Sequence, residues 1–341
     1  MAREAGVSVA TVSRAINGKG PIREATQRRI RRVVERLRYA PHGAARSLIT
    51  RQTRTLGVLL PDLFGEFFSE LIRGIDVAAR RSGYHLLVSG SHEDRVETQE
   101  LLRAIRGRVD GLIAFSPELD ARAFEENLPA GFPVVLLNAA VKKSRYNAIR
   151  VDNYGGAFEM VRHLIGLGHR RIAFVTGPPG NHDASERLRG YRDALGRHAG
   201  ARGLEIPGDF REDAGYRAAA RILRGKPVPT AVFAAHDAMA IGLLCAFRER
   251  RVRVPEDVAL AGFDDIPIAR FITPPLTTVR VPIADLGSRA TARLLHALEG
   301  NDGRAQREEV LPADLVARSS CGAPQDAGVS RIRANNEASS L

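Results

Sequence analysis

The chain has 341 residues, 44% of them hydrophobic and 26% charged, with a formal net charge of +12. That length exceeds one compact core and suits two or three, and the balance is that of a soluble globular protein. No apolar window approaches a membrane span, the first five residues do not lead into the apolar run of a secretory signal, and Cys245 and Cys321 are too few for a disulfide framework, which together argue for the cytoplasm.

The charge is concentrated at the start. Residues 1–54 carry 12 arginines and Lys19 against Glu4, Glu24 and Glu35, a net of +10, so the remaining 287 residues carry only +2. A short basic segment fused to a nearly neutral body is a footprint for polyanions. Residues 1–5 read as a first helix closed by Gly6. Ser8 is a good N-cap for a second helix, with Val9, Val12 and Ile16 at i, i+3 and i+7 on its apolar face. Gly18 suits the end of that helix. A third follows, in which Thr26, Ile30, Val33 and Leu37 form a stripe among arginines. Tyr39-Ala40-Pro41 ends it, because proline disfavours helix in the residue before it. Two short helices around a tight turn, backed by a basic third, fit a helix-turn-helix whose second helix reads the major groove. A protein-docking helical hairpin is the competing reading.

The run Ala5-Gly6-Val7-Ser8-Val9-Ala10-Thr11-Val12-Ser13-Arg14-Ala15-Ile16-Asn17 resembles the DNA-reading signature of the LacI/GalR family of bacterial repressors. The likeness continues through Leu37-Arg38-Tyr39-Ala40-Pro41 and Ala45-Arg46-Ser47-Leu48 and runs to about Cys321. It implies DNA contacts from Ser8, Val9, Ala10, Thr11, Ser13, Arg14, Asn17, Tyr39, Arg46 and Leu48. Val9 and Ala10 have no hydrogen-bonding side chain, so at most they touch thymine methyls or exclude bulk. Arg14 can pair with guanine through two hydrogen bonds, with a phosphate contact as its alternative. The resemblance makes residues 42–54 a hinge helix that orders on operator DNA, with Leu48 wedged into the minor groove. An inert spacer is the other reading of that segment. It also implies that relatives start their first helix several residues earlier, so the chain is expected to begin upstream of Met1, a genuine truncation with an impaired DNA-binding domain being the alternative.

From Leu56 onward short apolar runs alternate with amphipathic helices. Strands are expected at residues 56–60, 84–88, 111–115, 133–137, 171–176, 231–234 and 258–263, with helices at 67–81 and 98–105. This rhythm means α/β architecture with parallel sheets, and ligands in such sheets bind beyond the carboxyl ends of the strands. Landmarks such as Val151-Asp152-Asn153, Arg187-Leu188-Arg189-Gly190-Tyr191 and Gly262-Phe263-Asp264-Asp265 resemble the family's core, itself similar to periplasmic sugar-binding proteins. The expected organisation is a helix-turn-helix domain at 1–41, the hinge at 42–54, a two-lobed core at 55–322, and a disordered tail at 323–341. One lobe takes about 55–152 and 281–310, the other about 153–280 and 311–322.

The resemblance places Arg187 and Asp264 as effector-binding residues, with Phe67 and Phe68 on the cleft wall, one of the two being plain core. A carboxylate and a guanidinium can hold sugar hydroxyls by charge-assisted hydrogen bonds. His236 stands where relatives usually have Asn, and is read as a ligand contact, as a residue that alters effector choice, or as a surface residue. His236-Asp237 and Asp264-Asp265 could suggest acid–base chemistry, but no nucleophile elbow, phosphate loop or metal helix accompanies them. A periplasmic receptor lacks reason for the basic segment. The expectation is a repressor without catalytic residues, metal or cofactor, binding double-stranded operator DNA as a homodimer, answering to a sugar or sugar derivative, with a nucleobase or a phosphoprotein partner as the alternatives, and not engaging a membrane.

Overall fold

The computed structural model of the chain describes residues 1–17, 21–37, 52–92, 94–115, 121–138, 146–300 and 308–322. Two compact units divide the chain, residues 1–53 and 54–341. The hinge positions Arg46 and Leu48, Tyr39 and the tail at 323–341 lie outside the described residues.

In the first unit, residues 2–6 form hydrogen-bonded turns instead of the expected helix. Ala5 N–H donates to Met1 O at 2.9 Å and Val7 N–H to Ala2 O at 3.1 Å. So few residues close too few such bonds to offset the cost of nucleating a helix. The helices α1 (Val9–Asn17) and α2 (Glu24–Arg36) follow. Ala5, Ile30 and Val33 are the buried centre, with Met1, Val7, Ala15 and Val34 packed around them. Val12 is buried, but Val9 is 75% exposed, so the inward face of α1 runs through Val12 and Ala15. The stripe on α2 likewise stops at Val33, leaving Leu37 exposed beyond the end of the helix.

The second unit opens with β1 (Thr55–Leu60), α3 (Glu66–Arg81), β2 (His85–Gly90), α4 (Arg95–Ala104), β3 (Gly111–Ala114), α5 (Ala121–Asn127), β4 (Val134–Leu137) and β5 (Asn147–Val151). It continues through α6 (Asn153–Gly166), β6 (Arg171–Val175), α7 (His182–Gly196), β7 (Arg202–Ile206), α8 (Glu212–Leu223), β8 (Ala231–Ala234), α9 (Asp237–Glu249) and β9 (Ala259–Ala261). Last come β10 (Thr278–Arg280), α10 (Ile283–Leu298), β11 (Glu308–Leu311) and β12 (Asp314–Val316).

Among the described residues, one parallel sheet has the order β11-β5-β4-β3-β1-β2 and a second the order β7-β6-β8-β9. Strands β10 and β12 form an antiparallel pair. The central strands are continuous buried runs, as covering by helices on both faces requires. The late strand β11 returns to the first sheet, and α10 packs on α3. That helix pair can approach closely because a Cβ on Gly74 would sit 2.1 Å from the Ala284 carbonyl oxygen, and one on Gly287 would sit 2.6 Å from that of Leu71. The carboxyl ends of β1 and β3 in one sheet and of β6, β7, β8 and β9 in the other deliver the segments that line a cavity.

Candidate functional site

The first candidate is the exposed face of α1. The Ser8 hydroxyl accepts the Thr11 N–H at 3.1 Å, satisfying one of the donors that a helix start leaves open. At about 100° per residue, positions 9, 10, 13 and 14 fall within an arc of about 140°. Val9, Ala10 and Arg14 are exposed there, Ser13 within the arc is half-buried, and Thr11, about 60° beyond it, is half-buried as well. The side chain of Asn17 lies outside the described part. Behind this face α2 presents Arg28, Arg29, Arg31, Arg32 and Arg36 to solvent. Arg28 is 3.7 Å from Glu24, and Arg36 is 3.4 Å from Glu4. Both pairs are exposed and hold their cations only weakly.

The second candidate is a cavity of about 400 Å³ in the larger unit. Phe67, Phe68 and Phe115 wall it on the side of the six-stranded sheet, and Phe210 on the other. Phe67 is buried and Phe68 half-buried, and both lie edge-on to Phe115, at 6.0 and 5.8 Å between centroids. Phe67 also belongs to the core, so the expected division into one core and one wall residue does not hold: it serves both.

Arg187 and Asp264 meet in this cavity and are both buried. Arg187 Nη2 donates to Asp264 Oδ1 at 2.9 Å and Nη1 to Oδ2 at 3.2 Å, a two-pronged contact. Arg187 Nε donates to Asn153 Oδ1 at 2.8 Å, and Nη1 also reaches the Ala235 carbonyl. The guanidinium lies 3.8 Å from the centre of the Phe263 ring. Asp264 adopts a φ of 105°, a conformation that side-chain-bearing residues seldom take and that tends to cluster at binding sites.

His236 is no surface residue. Its side chain is 16% exposed, lines the cavity, and lies 3.3 Å from Asp264 through Nε2. The Ala238 N–H donates to His236 Nδ1 at 3.0 Å, capping α9, so the ring proton sits on Nε2 and faces Asp264. An Asn at this position could accept the same N–H. Burial holds the imidazole below its usual pKa against the opposing pull of Asp264, so it is neutral at pH 7.

The two suspected acid–base pairs are split by the fold. Asp237 turns away from the cavity, accepting from Thr278 Oγ1 at 2.6 Å and Ile266 N–H at 2.9 Å. Burial drives its carboxyl well above the usual range. Asp265 turns outward to Arg280 at 2.7 Å and Arg318 at 2.6 Å. Asp237 and Asp265 therefore hold the loop that carries Asp264, and neither shares a reacting site with its neighbour.

Four residues beyond the expected set complete the site: Asp183 and Phe210 line the cavity, and Asn138 and Asn153 hold Asp183 from outside its lining. Asp183 accepts from Asn138 Nδ2 at 2.8 Å and Asn153 Nδ2 at 3.0 Å. Burial raises its carboxyl to about 6, against the pull of Arg187 and the bond from Asn138. Phe210 has a φ of 69°, and its ring lies over Gly177, where any Cβ would come within 2.3 Å of it. Asn153 stood in a landmark motif, while Asp183, Asn138 and Phe210 stand in loops or at a helix start with no spacing signal. The cavity is also bridged at its rim. Arg211 Nη2 donates to Asp62 Oδ2 at 2.9 Å, and the Ile268 N–H donates to Glu66 Oε2 at 2.8 Å.

A family model for bacterial regulatory proteins, lacI family, matches residues 1–42, and one for a periplasmic binding protein-like domain matches residues 161–321. The chain is 36% identical to the ribose operon repressor of Escherichia coli (strain K12), over 94% of this chain and 98% of that protein. The structure of the lac repressor dimer bound to operator and the anti-inducer ONPF is similar with a TM-score of 0.85 at 28% identity, covering 94% of this chain and 97% of that one. A LacI family regulator from Enterococcus faecium with bound ribose gives a TM-score of 0.71 at 30% identity, covering 78% and 98%. No helix among the described residues is long and apolar enough to cross a membrane.

Proposed function

The chain belongs to the LacI family of bacterial regulatory proteins, and from that footing we infer how its residues divide the work. It is a DNA-binding transcriptional repressor whose hold on operator DNA is controlled by a small effector, and it acts as a homodimer. The effector is a sugar or sugar derivative, as the names of the ribose operon repressor and of the ribose-bound relative suggest. It works in the cytoplasm, where its DNA is, and by binding without turnover. The observation that carries this reading is the buried Arg187–Asp264 contact in an aromatic cavity, in the same chain as a capped helix that exposes Arg14.

Val9, Ala10 and Arg14 read base edges, with Ser8, Thr11, Ser13 and Asn17 setting the helix and its phosphate contacts. Tyr39, Arg46 and Leu48 contribute from the hinge side. A sugar ring lies against Phe68, Phe67 and Phe210, and its hydroxyls bond to Arg187, Asp264 and His236. The test is fluorescence anisotropy of the full chain on palindromic duplexes from the DNA flanking its own gene, with and without sugars. A bound dimer whose affinity shifts on adding a sugar is the expected outcome. Sugar binding with no change in DNA affinity would overturn the effector control.

A further inference from the structure

The cavity is lopsided in charge. Asp62, Glu66, Asp183, Asp209, Glu212 and Asp264 line it, and the described lining holds two guanidiniums against them, Arg187 and Arg211. Both are engaged, Arg187 by both oxygens of Asp264 and Arg211 by Asp62. Asp209 has a cation outside the lining, Arg217 at 3.6 Å. His236 adds no positive charge while its Nδ1 accepts the Ala238 N–H. The rest of the wall is largely apolar, with five phenylalanines in it.

A phosphate or carboxylate entering such a space loses its water and needs a free cationic donor in return. Here it would meet carboxylates, whose repulsion strengthens as water is expelled. Hydroxyls face no such difficulty. They donate to Asp264, Asp183 or Glu212, accept from the one Nη2 N–H of Arg187 left over by its bonds to Asn153, Ala235 and Asp264, and leave a ring's C–H face for the phenylalanines.

We infer that the cavity takes an uncharged polyol with an apolar ring face and rejects the phosphorylated and carboxylated forms of the same molecule. This rests on the effector reading above and deepens it. A regulator so built senses a sugar before phosphoryl transfer, and so answers to the substrate of a sugar kinase and not to its product.

The experiment is isothermal titration of the full chain with matched sets: D-ribose and ribose 5-phosphate, D-glucose with glucose 6-phosphate and glucuronate, D-fructose and fructose 1-phosphate. At least one neutral sugar should bind, with its anionic forms weaker by about 100-fold, the size of effect that an unmatched buried charge produces. The double variant Asp209→Asn, Glu212→Gln should narrow that gap by about threefold or more, as partly screened charges allow. An anionic form that binds as tightly as its parent overturns the inference. So does the failure of every neutral sugar to bind, or a gap that the double variant leaves unchanged. Operator binding measured alongside keeps the two readings apart. Neutral sugars that bind without affecting DNA sink the effector control alone, and phosphate esters that bind and shift DNA affinity sink the charge selection alone.

Discussion

At the scale of single residues, the environment of Arg187 and Asp264 decides how they can be tested. Truncating one member of a buried pair leaves the other charged and alone, which costs about 3–5 kcal/mol. Asp264→Ala would confuse ligand loss with unfolding; Asp264→Asn keeps the shape and one acceptor oxygen but still leaves the Arg187 charge unpaired, so its thermal midpoint is measured beside the response. Asp264→Asn should abolish the response to sugar while operator affinity stays near wild type, as an anisotropy titration would show. A response at the wild-type sugar concentration removes Asp264 from the site. Asp183 and His236 make a second prediction through pH. Burial lifts Asp183 from 3.8 to about 6, so between those values the folded chain holds a proton that the unfolded chain has lost. Stability from this group therefore falls as pH rises through the window, at about 1.4 kcal/mol per unit. His236 is shifted the other way, and stability from it rises with pH through the range below 6.5 where the unfolded imidazole loses its proton. The two partly cancel in the wild type. Asp183→Asn removes one of them, so its stability should rise more steeply with pH from about 4 to 6 than that of the wild type. Parallel urea-denaturation curves across this range would contradict the assignment.

At the scale of elements, α1 depends on Ser8 for its start and on Arg14 for what it reads. Ser8→Ala should cost the first unit about 0.5–2 kcal/mol, seen as a lower thermal midpoint for that unit. Arg14→Ala should cost about 1–3 kcal/mol on specific DNA and relax one position of each half-site. Equal weakening on random and specific duplexes would reduce Arg14 to a phosphate contact. The elements also differ in how far the sequence discloses them. Strands β1, β3, β4 and β8 are legible because strands buried on both faces are unbroken apolar runs. Strands β7 and β11 escape because they stand at sheet edges, where Arg202, Glu308 and exposed neighbours interrupt the pattern. The start of the chain misleads for another reason: five helix-compatible residues are too few to close a helix. In the cavity, Arg187 and Asp264 were legible only through resemblance to a family. No spacing rule links residues 77 positions apart, and Asp183 and Phe210 follow β6 and β7, strands that only the sheet order places with β9 and Asp264.

At the scale of the whole molecule, control requires that the effector favour one arrangement of the core over another, since a ligand with equal affinity for both shifts nothing. The rim contacts Asp62–Arg211 and Glu66–Ile268 N–H join the segments that follow β1 to loops of the four-stranded half. They therefore belong to the arrangement in which the cavity is covered, and they are lost if the two halves separate. Each has a partner well exposed to solvent, so the contribution of the Asp62–Arg211 pair is discounted to about 0–1 kcal/mol. If the effector binds the covered arrangement, Arg211→Ala should raise the sugar concentration needed for half-maximal response by up to about fivefold, the equivalent of that energy. The maximal response should be kept, because Arg187 and Asp264 are untouched. Salt supplies the control: the wild-type advantage over Arg211→Ala should shrink as ionic strength rises from low to about 1 M, where the screening length falls to about 3 Å. A variant with unchanged half-maximal concentration at low salt would mean that the rim pair is formed equally with and without the effector, and that closure is driven from the buried end of the cavity alone.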